Sequence, residues 1–516
     1  MASVAATVGL AACQAPPSDV APPCARDLVF TDITSDSPDL AHHPYGGSPP
    51  WDHSDKYAPG VALVDLNGNG ILDLVQPRND RHDPSLRPLV IYRGLGDGRF
   101  EQAALPPWDR SWNATAVVAF DYDGDGDLDL FVGIDGADGR LFRNEGDFEF
   151  TDVTTEAGLS NVATRVHAAA AGDITGNGYP DLYLAQFAAY LPDHGAGQAD
   201  NILVENLGDG TFGSPRDDAA CDGRSTLGVA LVDLDGDGNI DIYVANDFFA
   251  DCLYENLGGG VLREIGEEAG IRDGAFNGMG VGVGDLNGNG RLDLLITDTQ
   301  EPDASPGHAV YMQTREPLRF ASRAQELGLD GLSVLPPGEH WMVGWGVGIE
   351  DFSGDGNTEV HIATHGEREE LMFARDGDGF APVDSAMAVL GSQDARGTAY
   401  GDITGDGAAD IVIARRGDSL QVIRNDSGGR YLTVAVEPPH RSLGSVVAAE
   451  IDGVRHVRPI QAGSSYMSSS PSTVRFGLCD AEQVDRVEVI AADGGRAIAE
   501  AVGPGHLRLE LGDSHR

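Results

Sequence analysis

The stretch Asp121-Tyr122-Asp123-Gly124-Asp125-Gly126-Asp127-Leu128-Asp129 decides the reading of this chain, because the same nine-residue pattern returns six more times. Its copies start at Asp65, Asp173, Asp233, Asp285, Asp351 and Asp402, at intervals of 51 to 66 residues. Self-similarity at that period marks a repeat architecture. Oxygen side chains at positions one, three and five converge when a glycine at position six turns the chain sharply, and position seven offers its backbone carbonyl. That is the chemistry of a calcium loop. The closing carboxylate stands at position nine, so the loop is shorter than the twelve-residue loop held between two helices. Its flanks are short apolar runs, Val61-Ala62-Leu63-Val64 before and Leu72-Asp73-Leu74-Val75 after, which read as strands. The loop is therefore expected to be a metal-clamped hairpin turn.

Ca²⁺ is the expected cofactor, and the pattern assigns its ligands loop by loop. They are Asp65, Asn67, Asn69, Ile71 and Asp73; Asp121, Asp123, Asp125, Asp127 and Asp129; Asp173, Thr175, Asn177, Tyr179 and Asp181. The series continues with Asp233, Asp235, Asp237, Asn239 and Asp241; Asp285, Asn287, Asn289, Arg291 and Asp293; Asp351, Ser353, Asp355, Asn357 and Glu359; Asp402, Thr404, Asp406, Ala408 and Asp410. The seventh-position residues, such as Ile71 and Arg291, serve through the main chain.

The rest of each repeat is regular too. A third strand follows (Leu89–Arg93, Leu141–Asn144, Ile202–Asn206, Leu253–Asn256), then a glycine-rich turn, then a fourth strand opening at Phe100, Phe150, Phe212, Leu262, Phe320 or Phe380. Four strands in about 50 residues make a propeller blade. The loops resemble FG-GAP/VCBS repeats, as in integrin α-subunit heads. The phrases Gly278–Asp285 and Gly344–Gly348 resemble the cartilage acidic protein family. The resemblance runs from about Val29 to Asn425 and implies an all-β fold, a seven-bladed β-propeller. The seventh repeat lacks a fourth strand, and an orphan strand, Leu28–Thr34, stands at the front. An unpaired edge would remain otherwise, so Leu28–Thr34 is expected to pair with Leu420–Arg424.

Residues 426–516 carry no such loop and read as short strands separated by turns, a small, separate β-sandwich. Gly444, Ala462–Ser468 and Phe476-Gly477-Leu478 resemble the ASPIC/UnbV domain. Ala491-Ala492-Asp493-Gly494 stands where that domain usually has Trp-Pro-x-Gly, and Cys479 where it usually has glycine. The division is then a leader and tether over 1–27, a propeller over 28–425 and a sandwich over 426–516.

Leu10-Ala11-Ala12-Cys13 after a small apolar run resembles a bacterial lipoprotein signal with Cys13 lipidated, although no Lys or Arg precedes it. This gives an exported protein, either a cell-surface or outer-membrane lipoprotein or a secreted one, probing a membrane only through a lipid anchor. A net charge of −48 excludes a nucleic-acid partner. Five cysteines are too few for a disulfide scaffold. Cys221 and Cys252 belong to one face of one blade and suit a disulfide, and Cys24 and Cys479 flank the propeller.

Catalytic signals are weak, with no P-loop, no His-Glu-x-x-His and no Gly-x-Ser-x-Gly in the sequence. The glycine strings precede the calcium loops and read as close packing near the channel. His42, His43, His167 and His340 fall in connections on the face opposite the calcium turns, beside aromatic residues, and make a candidate ligand face. The expected function is a monomeric surface module that binds a glycan or an extracellular protein. The alternative is an enzyme on the histidine face, such as a metal-assisted polysaccharide lyase.

Overall fold

In a computed structural model, position nine of every loop is the first residue of a strand, so each loop is the hairpin turn that the pattern calls for. Asp73 pairs with Val64 and Asp129 with Phe120, and the strands run back antiparallel from there. The structure describes residues 27–40, 60–78, 88–103, 112–187, 200–221, 225–272, 277–300, 307–331, 342–366, 370–391, 394–416 and 418–512. Cys13, Cys24, His42, His43 and His340 lie outside the described residues.

Seven small antiparallel sheets follow one another, one per loop, and in all but the seventh the strands lie in chain order. The first comprises Ala62–Val64, Asp73–Pro77, Leu89–Gly94 and Phe100–Gln102. Two sheets depart from four strands. In the third, the segment at Phe212 makes only isolated bridges, Asn206 with Phe212 and Leu203 with Arg216. The sixth gains Thr299–Gln300 on the edge of Met342–Glu350 that faces away from Glu359–Gly366. The first strand of each sheet contacts the first strand of the next, and the seventh contacts the first, so the sheets close a ring.

Closure uses the front of the chain. Phe30–Asp32 adds to the seventh sheet, with Phe30 opposite Asn425, Thr31 opposite Arg424 and Asp32 opposite Ile423. Phe30 is buried and meets Phe352 of the sixth sheet edge-on at 6.0 Å, while Ile33 is buried against the first sheet. Burial of this strand is thus shared by three sheets.

The glycine strings do pack closely. A Cβ on Gly280 would overlap the Trp345 carbonyl, and one on Gly348 would enter the Tyr400 ring. At these glycines the first strands approach one another more tightly than a side chain allows.

The last seven strands form two sheets. Tyr431–Glu437 lies between Val474–Gly477 and Gly505–Glu510, the latter parallel to it; Val446–Ile451 lies between Val454–Pro459 and Val484–Ile490, which carries Arg496–Val502. This body is not separate, as the sequence suggests. It sits on the loop face of the ring, and Ala462–Ser470 enters the axial channel. There Ala171 N donates to Ala462 O (2.9 Å), Val281 N to Ser465 O (3.1 Å), Val347 N to Ser465 Oγ (2.8 Å) and Leu63 N to Ser469 O (3.0 Å). Tyr466 is fully buried, edge-on to Trp345 at 4.9 Å, in a cluster with Phe187, Leu227, Met279 and Val343. The physical reason is that first strands at a propeller axis leave unpaired backbone groups facing the channel, and these need partners. No helix among the described residues is long and apolar enough to cross a membrane.

Candidate metal centres and the face they form

Each loop is organised by its own backbone. Glycines at positions four and six both hold left-handed φ, as Gly124 (78°) and Gly126 (97°) do, a conformation in which glycine is favoured. The pattern reading had explained only the second of these. The turn aims amide N–H groups inward at the first carboxylate. Gly124 N donates to Asp121 Oδ1 (2.7 Å) and Gly126 N to Asp121 Oδ2 (3.2 Å). The sixth-position N–H makes the same bond to Asp65, Asp173, Asp233, Asp285, Asp351 and Asp402. The fifth-position oxygen accepts from the seventh-position N–H, as in Asn69 with Ile71 (2.7 Å) and Asp125 with Asp127 (2.9 Å).

Position nine is a buried clamp. Asp129 accepts from Tyr122 N (3.0 Å) at the start of its loop and from Asn144 N (2.8 Å) at the end of the third strand. Burial pushes its carboxyl up to about 8, although both N–H donors pull it down. Burial likewise raises Asp410 to about 8, Asp181 and Asp293 to about 7, and Asp73 to about 6. The neighbouring loop carboxylates add to the rise. These groups oppose ionisation unless a cation sits beside them.

Three loops bring carboxylate oxygens within 4.8 Å of one another: Asp121, Asp123 and Asp129; Asp233, Asp235 and Asp241; Asp351, Asp355 and Glu359. All donors are hard oxygens, in loops whose backbone already fixes their direction. That set fits Ca²⁺. A bound cation would neutralise charge that the fold otherwise confines.

Reasoning from the pattern missed the residues that join loop to loop. The side chain closing each third strand reaches back to the position-two carbonyl of the preceding loop. Asn144 donates to Leu66 O (2.7 Å), Asn206 to Tyr122 O (2.8 Å), Asn256 to Ile174 O (2.8 Å) and Gln313 to Leu234 O (2.8 Å). Arg375 donates to Leu286 O (2.6 Å) and Asn425 to Phe352 O (2.8 Å); Gly98 N completes the circle at Ile403 O (3.0 Å). The Asn that recurs at the end of four third strands, at Asn144, Asn206, Asn256 and Asn425, was the available signal.

The loops also carry the C-terminal body. His440 Nδ1 is 2.9 Å from Asp121 Oδ2 and its ring stacks on Tyr179 at 5.4 Å. Gly477 N donates to Asp351 Oδ2 (3.1 Å), and Asp233 N to Gly444 O (2.9 Å).

On the opposite face, His167 is the second residue of strand Val166–Gly172 rather than part of a connection. It is buried against Phe187, with Nε2 3.8 Å from Asp135. A second group there, which the repeat pattern does not mark, joins Asp394 to Arg396 (2.6 Å), Arg416 (2.5 Å) and His365 (3.9 Å). Burial and the nearby Arg396 push His365 down to about 4. Cys221 and Cys252 form a disulfide, and Cys479 is disulfide-bonded as well.

Comparison with known proteins agrees with this architecture. Residues 65–132, 129–184 and 233–296 match the FG-GAP-like repeat family, and residues 436–514 match the ASPIC and UnbV family. The chain is 25% identical to cartilage acidic protein 1 of Homo sapiens over 495 residues, covering 88% of this chain and 71% of that protein. It is 26% identical to the Xenopus tropicalis protein of the same name over 493 residues, covering 88% and 73%. Among solved structures, an Agrocybe aegerita lectin described as recognising non-reducing terminal N-acetylglucosamine aligns with 70% of this chain and 87% of its own, at 18% identity and a TM-score of 0.43.

Proposed function

We propose that this chain, which belongs with the FG-GAP-repeat proteins that carry a C-terminal ASPIC and UnbV domain and is related to cartilage acidic protein 1, is an exported calcium-bearing module that binds a glycan or an extracellular protein. The observation that carries the reading is the commitment of the loop carboxylates. Each first-position Asp is already held by backbone N–H groups, as Asp121 is by Gly124 and Gly126. Such groups are placed to hold a cation and stiffen a platform, not to move protons through a reaction. Calcium would supply the countercharge that lets seven acidic turns share one face. The Cys221–Cys252 disulfide supports an oxidising compartment.

The test is retention of ligands by the full chain on glycan and extracellular-protein arrays, with calcium and after metal stripping. Capture that requires calcium is expected. A calcium-loaded, folded protein that retains nothing on either array would overturn the reading.

A further inference from the structure

Over the first sheet the C-terminal body stands off the ring and leaves a cleft of about 1020 Å³. One wall is the loop face around Asp65 and Asp402. The other is a sheet face on which Thr433 lies opposite His506 and Arg475, and Ala435 opposite Arg508. The inner end adjoins a smaller cavity of about 70 Å³, and Arg475 and Gln461 line both.

Three donors around this inner end have no acceptor among the described residues: Arg475 Nε, Arg458 Nε and Gln461 Nε2. Both arginines are buried, at 4% and 6% exposure. Arg475 reaches Glu350 only at 3.9 Å, through Nη2, and Arg458 spends Nη1 on the Val457 carbonyl. Buried donors left without acceptors are costly and call for an oxygen-bearing partner.

The rest of the cleft mixes acceptors with donors. Asp65, Asp402, Glu437 and Glu510 line it as acceptors, while His506 and Arg508, the latter 3.7 Å from Glu437, bring donors. A small anion would satisfy the inner donors and then meet these carboxylates, on a chain of net charge −48. A cation would meet two buried arginines. A hydroxyl group both donates and accepts. Apolar surface at Leu63, Leu72 and Pro471 suits the C–H faces of a sugar ring. Pockets of this size and mixed lining at a junction between domains are binding sites by preference.

We infer that the cleft between the first sheet and the C-terminal body is a binding site for a neutral oligosaccharide, whose inner hydroxyls accept from Arg475 and Gln461. The inference rests on the binding reading above and places its site on the loop side, not on the histidine face.

Calorimetry on the calcium-loaded full chain tests it, with cellotetraose, xylotetraose, mannotetraose and chitotetraose as neutral probes and tetragalacturonate as the acidic one. At least one neutral probe is expected to bind. Gln461→Leu, which removes one inner donor, should weaken it at least tenfold. Ala435→Trp, which fills the half-buried outer wall, should abolish it with the melting temperature unchanged. Binding that survives Ala435→Trp overturns the location and leaves the binding reading intact. Binding of tetragalacturonate alone overturns the neutral class. No saccharide bound, while a protein is captured on the extracellular-protein array, overturns the inference alone and means that water fills the inner cavity.

Discussion

Asn144 donates from Nδ2 to Leu66 O at 2.7 Å and to Leu128 O at 3.0 Å, so one amide ties the loop of its own sheet to the loop of the sheet before. Apolar side chains between neighbouring sheets fix no register by themselves, and polar contacts such as Thr297 Oγ1 to Trp345 O (2.6 Å) and His361 Nδ1 with Tyr400 OH (2.9 Å) add to what the amide does. The amide supplies the register, and the arrangement recurs around the ring. Asn144→Ala leaves two buried carbonyls without a donor and is expected to cost about 1–3 kcal/mol. Asn144→Asp should cost more, because an acceptor then faces two acceptors. Urea denaturation of both variants checks the order; an Asp variant as stable as wild type would contradict it.

Metal removal should act unevenly. The Asp121 loop holds five carboxylates and the Asp65, Asp173 and Asp285 loops two each. More charged ligands favour tighter calcium binding. Titration of stripped protein with calcium, followed by crystallography at partial loading, should fill the Asp121 site first. Chelation should lower the melting temperature, since a cation bound only by the folded state stabilises it by mass action. A melting curve unmoved by stripping would sink the idea.

The buried position-nine carboxyls give the metal-free protein an unusual pH response. Asp129 and Asp410 sit at about 8 and Asp181 and Asp293 at about 7, all raised by burial. An unfolded Asp ionises near about 3.9. The folded state therefore binds more protons than the unfolded chain between about pH 4 and 8, and stability falls as pH rises through that window. This is opposite in sign to a salt-bridged Asp. Calcium takes the place of the protons, so the loaded protein should show a flatter profile. Melting temperatures of stripped and loaded protein at pH 5, 6.5 and 8 distinguish the two; a stripped protein that gains stability toward pH 8 would refute the assignment.

Much of this was legible because it repeats. One loop such as Asp65–Asp73 is only a turn with acidic residues, but seven in register fix the strands on either side. The orphan strand at Phe30 was legible for the same reason, since it fills a vacancy in a counted pattern. What occurs once was not legible. Gly505–Glu510 pairs in parallel with Tyr431–Glu437, and Arg496–Val502 pairs with Val484–Ile490, without any repeat to predict either. Nor did Ala462–Ser470 announce its place. Its small residues read as a turn, yet smallness is what admits it to a channel where first strands crowd. His167 shows the limit of counting strands: an error of two residues moves a side chain from a connection into a buried strand.

Closure makes Phe30 a sensitive position. It buries its ring between the seventh and sixth sheets, with Phe352 at 6.0 Å, while its backbone pairs with Asn425. Phe30→Ala removes the ring and leaves the pairing, and should cost about 3–5 kcal/mol. Deletion of residues 1–35 removes both and exposes the edge at Gln421–Asn425, which should add aggregation to instability. Light scattering alongside thermal melts checks the difference. A monomeric deletion variant of undiminished stability would show that the ring closes without this strand.

The channel segment gives the sharpest test of how the two bodies depend on each other. Gly463 has φ +80°, and a Cβ built on it would overlap the Ala169 carbonyl oxygen. Gly463→Ala is therefore barred twice, by backbone conformation and by contact with the third sheet. Either the segment leaves the channel or the first strands move apart. In both cases Tyr466 loses Trp345, and the N–H groups of Val281 and Leu63 lose their acceptors. A loss of at least about 3 kcal/mol is expected from such combined strain and unpaired groups. Ser464→Ala, one residue on, keeps the backbone bonds and should change little. Removal of residues 426–516 should be worse than either, because it opens a channel lined by Phe187, Leu227, Met279 and Trp345 to water. Thermal melts and limited proteolysis of the three variants check this. A ring that melts at the same temperature after the truncation would show that the C-terminal body contributes nothing to its closure.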